Sequence, residues 1–131
     1  MCNKRQENMI CAGKATIEEV FEAMDNAGGK FIKLQGHRIK SESQRYKLFK
    51  QKGTTCVCCG LEAAYFKLER FPNDKIFHLN LYAIDVDGDE VLFTKDHIIP
   101  KGHGGGNTLE NYQTMCSPCN TDKGDKRSGP E

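Results

Sequence analysis

The sequence predicts an α+β fold, a small single domain in which a bound metal stands in for part of the hydrophobic core. Three observations predict it. A stretch near the N-terminus has a helical period, three later runs read as strands separated by turn signals, and two Cys-x-x-Cys pairs bracket those runs. With 131 residues, 37% hydrophobic residues and no tryptophan, the chain is long enough for one domain but poor in core-forming side chains. A metal staple would offset that shortage.

Residues 1–15 carry no period and are expected to form a flexible lead-in. Thr16-Ile17-Glu18-Glu19 has the form of a capping box. Ile17, Val20, Phe21 and Met24 then fall at i, i+3, i+4 and i+7, one apolar helical face that Gly28-Gly29 would close. From Lys30 to Lys40, apolar and basic residues alternate around Gln35-Gly36, which predicts a hairpin with Phe31, Leu34 and Ile39 facing inward. A short basic helix is expected from Ser43 to Gln51, carrying Tyr46, Leu48 and Phe49, with Gly53 placed to end it. Residues 16–53 therefore group as an N-terminal helix, a basic hairpin and a basic helix.

Thr54 to Gly60 reads as a metal knuckle, in which Gly60 lets the backbone turn tightly enough to aim two sulfurs at one ion. Strand-like runs follow at 63–71, 75–84 and 90–94, separated by Pro72-Asn73-Asp74 and by Asp87-Gly88. They form an expected β-hairpin insert (62–94) within a metal-bound core of 54–125. Ser117 and Pro118 suit the N-cap and first position of a short helix that Gly124 would break. The charged residues 126–131 are expected to be a tail.

The net charge of +1 conceals an asymmetry. Lys30 to Lys52 holds eight basic residues against the single acid Glu42, and the remainder holds eleven against seventeen. Such a stretch serves either as a solvated face or as a surface for backbone phosphates. Nothing reaches transmembrane length, and no membrane partner is expected.

Of the seven cysteines, Cys56, Cys59, Cys116 and Cys119 form the two pairs. The odd count and the lack of a signal-peptide run favour zinc over disulfides, and a reducing, cytoplasmic compartment. Four thiolates at this spacing suit a closed, structural tetrahedral zinc site. Cys58 is a bystander, and Cys2 and Cys11 receive no role.

Asp96, His97 and Asn120 are a second set, hard oxygen groups beside one nitrogen. Oxygen ligands suit magnesium or manganese. On a strand, Asp96 and His97 point to opposite faces, so one can hold a metal while the other faces a nucleophilic water. Asn120 directly follows a predicted zinc ligand, which would fix its place relative to that strand.

Cys56-x-x-Cys59-Gly60, Asp96-His97-Ile98-Ile99-Pro100, a glycine-rich loop, Asn111 and Cys116-x-x-Cys119-Asn120-x-x-Lys123-Gly124, in this order, resemble the HNH endonucleases of the ββα-metal (His-Me finger) group. The resemblance covers Cys56 to Gly124, and the whole chain is similar to small bacteriophage HNH proteins. It implies a ββα-metal core in which His97 is the general base, Asp96 and Asn120 hold catalytic magnesium or manganese, and Asn111 bonds across the loop to orient His97. Asn120 stands where the family often has a histidine, giving an H-N-N version of the motif. The implied activity is hydrolysis of DNA phosphodiester bonds, with nicking of duplex DNA to 5′-phosphate and 3′-hydroxyl ends. Arg38, Lys40, Arg45, Lys101, His103 and Lys123 are the candidate DNA contacts. Double-strand cleavage would need a homodimer or a phage partner protein, and the expected setting is a bacterial or phage-infected host cell. A non-catalytic, zinc-stabilised DNA-binding module would share the zinc and the DNA affinity but not the use of His97.

Overall fold

The computed structural model describes residues 9–27 and 30–124. The start of the expected lead-in with Cys2, the Gly28-Gly29 helix stop and the tail lie outside the described residues. Three helices and two antiparallel sheets make up the described part of the fold.

The first difference from expectation comes at the start. Residues expected as lead-in form strand β1 (Ile10–Ala15), paired with β4 (Tyr65–Arg70) through a register shift between Cys11 and Gly13. Helix α1 (Ile17–Asn26) follows at once, and its capping box is formed: the Glu19 amide donates to Thr16 Oγ1 at 3.0 Å, and the Thr16 amide donates to Glu19 Oε1 at 2.7 Å. Such a cap contributes about 1 kcal/mol. Val20 is buried, and Phe21 meets the edge of Phe66 at 6.1 Å.

Strands β2 (Phe31–Leu34) and β3 (His37–Lys40) form the basic hairpin as a separate two-stranded sheet. Gln35 and Gly36 both have positive φ, 51° and 81°, as a two-residue turn with the twist of the strands demands. Ile32, Leu34 and Ile39 are the buried residues, whereas Phe31 is only half-buried, under the Arg38 guanidinium at 4.4 Å. Phe31 and Leu34 are three apart and cannot share a strand face, while Ile32 and Leu34 can. Helix α2 (Gln44–Lys52) starts at Ser43, ends at Gly53, and buries Tyr46, Leu48 and Phe49.

The main sheet has five strands in the order β1-β4-β5-β6-β7, with β5 (His78–Ile84), β6 (Glu90–His97) and β7 (Tyr112–Cys116). Antiparallel register sets Phe66 beside Leu81 and Leu68 beside Leu79, all four buried in the core. Phe49 of α2 meets Phe66 at 6.3 Å, which ties the basic helix to this core. β6 runs unbroken from Glu90 to His97, so the boundary expected at residue 94 falls inside a strand. The expected insert is the middle of the sheet.

Alternation along β4 would send Lys67 and Glu69 to solvent, yet both are buried. Lys67 Nζ lies 2.9 Å from Glu90 Oε1 and 3.7 Å from Glu69 Oε2. Tyr82 and Asn80 donate to Glu69 Oε1 at 2.7 and 2.9 Å, and Tyr65 donates to Glu90. Every charge in this group has a partner, which is the condition for burying it. Among the described residues, no helix is long and apolar enough to cross a membrane.

Candidate functional site

Helix α3 (Ser117–Lys123) begins one residue earlier than Ser117 capping would give: Cys116 is its N-cap and Pro118 lies in the first turn. That shift puts one thiol at the end of β7 and another, Cys119, inside the first helical turn. Opposite them, the knuckle after α2 is closed by the Gly60 amide donating to Cys56 O at 3.0 Å and docked on β7 by the Val57 amide donating to Thr114 O at 3.0 Å. Cys56, Cys59, Cys116 and Cys119 thereby come together with their sulfurs all within 4.8 Å of one another. Cys59 and Cys116 are 3.8 Å apart. A tetrahedron with metal–sulfur bonds of about 2.3 Å has edges of about 3.8 Å, so the cluster could hold an ion such as zinc.

The thiols differ electrostatically. Burial pushes the Cys56 thiol up, but amides of Cys116, Cys59 and Cys58 point at its sulfur and outweigh burial, leaving it lowered to about 6. Burial holds Cys116 and Cys119 above the ordinary thiol value. Cys58 is exposed and outside the four-sulfur cluster.

The thiol junction fixes α3 against β6, and the second set of residues follows from that. Asp96 pairs in register with Gln113 and His97 with Tyr112. Asp96 turns to the α3 side and is buried, while the His97 ring packs edge-on against Tyr112 at 5.0 Å, so the two side chains do diverge from adjacent positions. Gln113 Nε2 donates to Asp96 Oδ2 at 2.8 Å. Lys123 Nζ is 3.2 Å from the same oxygen, 3.5 Å from Oδ1, and donates to His97 O at 2.8 Å. Asn120 Nδ2 donates to Thr94 Oγ1 at 2.9 Å, so its amide oxygen is the atom that could ligate a metal. Asp96, His97, Lys101, Asn120 and Lys123 line one cleft of about 290 Å³.

The loop between β6 and β7 is clasped by Asn111, which bonds across it. Asn111 bonds to Ile99 in both directions, accepting from its amide at 2.9 Å and donating to its carbonyl at 3.0 Å, and donates to Gly106 O at 2.9 Å. It shapes the loop without touching the imidazole. Gly105 sits so close to this clasp that a Cβ there would lie 1.7 Å from Ile99 O, so no other residue fits. The contact to His97 Nε2 comes from Asn107 Oδ1 at 2.9 Å. Nothing in the sequence marks Asn107 above other polar loop residues.

Of the candidate DNA contacts, Arg38, Lys40, Lys101 and His103 are exposed. Arg45 is turned inward, donating to Leu79 O at 2.7 Å and Asn80 Oδ1 at 3.2 Å, so its guanidinium serves the fold. Lys123 is engaged with Asp96. On the other side of the loop, Gln44 at the start of α2 reaches Asn107 O at 3.5 Å, and Lys52 at its end donates to Tyr112 O at 2.7 Å. The basic helix therefore flanks the loop that carries Asn107.

Two strands, the clasped loop between them and a thiol-anchored helix make a ββα unit, with a four-sulfur cluster beside a cleft of hard donors. Residues 84–126 match the family model described as HNH endonuclease, and the matched segment takes in Asp96, His97, Asn111, Asn120 and the second thiol pair. Cys56 and Cys59 precede the matched segment. No curated protein and no solved structure matches the chain.

Proposed function

We propose that the chain is a metal-dependent HNH endonuclease that hydrolyses DNA phosphodiester bonds, with His97 as general base. The observation that carries this reading is the divergence of Asp96 and His97 from one strand end onto a cleft that also contains Asn120. A buried carboxylate and an amide oxygen are a donor set that fits magnesium or manganese. When bound by Asp96 and Asn120, such an ion would neutralise charge on the phosphate and the departing oxygen.

The chain's own groups do the rest. With Asn107 Oδ1 as acceptor, Nε2 of His97 carries the proton and Nδ1 is the basic nitrogen. Nδ1 takes a proton from water, the water oxygen bonds to phosphorus, and the bond to the 3′ oxygen breaks with its electron pair going to that oxygen, which takes a proton from solvent, leaving a 5′-phosphate and a 3′-hydroxyl. Zinc in the four-thiolate cluster would be structural, holding α3 under β6. Arg38, Lys40, Lys101 and His103 are proposed to meet phosphates, since exposed cations of this kind supply sequence-independent affinity. One such site cuts one strand, so the expected product is nicked duplex, and double-strand cleavage would need a second copy or another protein.

The test is plasmid nicking with magnesium or manganese by the wild-type chain and by His97→Ala. Nicking by the wild type alone is expected. Equal nicking by both would remove His97 as the base. No nicking by either, with DNA still bound, would return the non-catalytic DNA-binding reading, for which the Lys123–Asp96 ion pair is the favouring observation.

A further inference from the structure

We infer that Lys123 is a resident counter-ion of Asp96 that competes with divalent metal for the cleft, so that metal enters only by displacing it. This rests on the metal-dependent reading of the cleft given above.

Asp96 is 5% exposed, and a buried carboxylate needs a compensating charge. Lys123 supplies it from 3.2 and 3.5 Å, with a side chain only 10% exposed. The same ammonium is held on its other side by His97 O at 2.8 Å. It is therefore bound by two acceptors, unlike a lysine lying over a surface. Lys123 and Asn120 are three residues apart on α3, which puts both side chains on the helix face that meets β6. One helix thus presents to Asp96 both a neutral oxygen ligand and a cation.

A divalent ion on Asp96 would stand within a few ångströms of that ammonium. At such separations like charges repel strongly even in a partly wet cleft. The four-carbon stem lets the ammonium swing away from the carboxylate, and a phosphate in the cleft, which exposed Lys101 also lines, would accept it. Lys123 then stabilises the fold without metal and weakens metal binding until an anion draws it off. Lys123 is one of the candidate DNA contacts, and this arrangement makes a phosphate contact conditional on its release from Asp96.

The experiment titrates the zinc-loaded full chain with Mn2+ in the absence of DNA, following free Mn2+ by electron paramagnetic resonance. Wild type, Lys123→Gln, Lys123→Arg and Asp96→Asn are compared, each checked for zinc content and cooperative melting. Asp96→Asn identifies the signal from this cleft, as distinct from exposed carboxylates such as Asp87 and Asp89. Lys123→Gln should bind Mn2+ about tenfold or more tightly than wild type, and Lys123→Arg, which keeps the charge, should not. Lys123→Met takes the place of the glutamine variant if that variant does not melt cooperatively. Unchanged or weaker Mn2+ binding in the neutral variant would overturn the inference, as would tighter binding that persists when Asp96→Asn is added. Mn2+ affinity does not depend on cleavage, so a chain that fails to nick DNA would sink the nuclease reading and leave this result standing.

Discussion

Asn107 Oδ1 lies 2.9 Å from Nε2 of His97, and this side-chain contact holds the imidazole from within the glycine loop. Asn111, three residues before Thr114 on the way into β7, acts on the loop backbone instead. The two asparagines divide the work: Asn111 shapes the loop, and the shaped loop carries Asn107 to the ring.

Asn107→Ala should therefore lower nicking by about ten- to a hundredfold, the scale of a small misplacement of a reacting group. DNA affinity and melting temperature should stay near wild type, because Asn107 is exposed and outside the core. Single-turnover cleavage at saturating protein separates the two effects. A loss confined to DNA binding would remove Asn107 from the imidazole's support.

The four sulfurs join the knuckle to the β7–α3 junction, which hydrogen bonds such as Val57 N–H to Thr114 O tie only locally, so the metal should be part of folding. Cys116→Ser should abolish cooperative thermal melting, and a chelator should do the same to the wild type. A folded but inactive Cys116→Ser protein, with a sharp melt, would show that the cluster is dispensable for the fold.

Tyr65 gives a pH dependence with a definite sign. Burial, and then the hydrogen bond and charge of Glu90, raise its phenol above the ordinary value of 10. The folded state thus keeps a proton that the unfolded state loses. The resulting stability is complete below pH 10 and is lost as pH rises above it. Melting temperature should fall as pH rises from about 10 upward, and Tyr65→Phe should flatten that fall. An identical slope in the variant would assign the loss to other groups.

Local signals carried much of the fold. The capping box at Thr16 and Glu19, the positive-φ turn at Gln35-Gly36 and the Ser43 start of α2 depend on neighbours in the chain, and each formed as read. The thiol cluster was legible because spacing limits what four cysteines can do, and the opposed Asp96 and His97 because a strand has period two. Features set by distant partners were not legible. β1 has no period of its own and exists because β4 offers it an edge across a bulge at Gly13. Arg45 looked like a phosphate contact until Leu79 O and Asn80 claimed it. The buried meeting of Lys67, Glu69 and Glu90 is another such feature, since no sequence pattern announces that three charges will partner one another on a sheet.

The unbroken course of β6 decides how portable this candidate centre is. Its first residue, Glu90, answers Lys67, and its last, His97, belongs to the cleft, so one strand is both scaffold and site. The matched segment begins at residue 84, leaving the strands that flank β5 on its far side and half of the sulfur cluster upstream. Cut out as a cassette, residues 84–126 would carry the candidate base and ligands but neither the charge that Glu90 answers nor Cys56 and Cys59, the half of the thiol cluster that faces α3. Grafting this centre onto another protein would thus require moving the sheet with it.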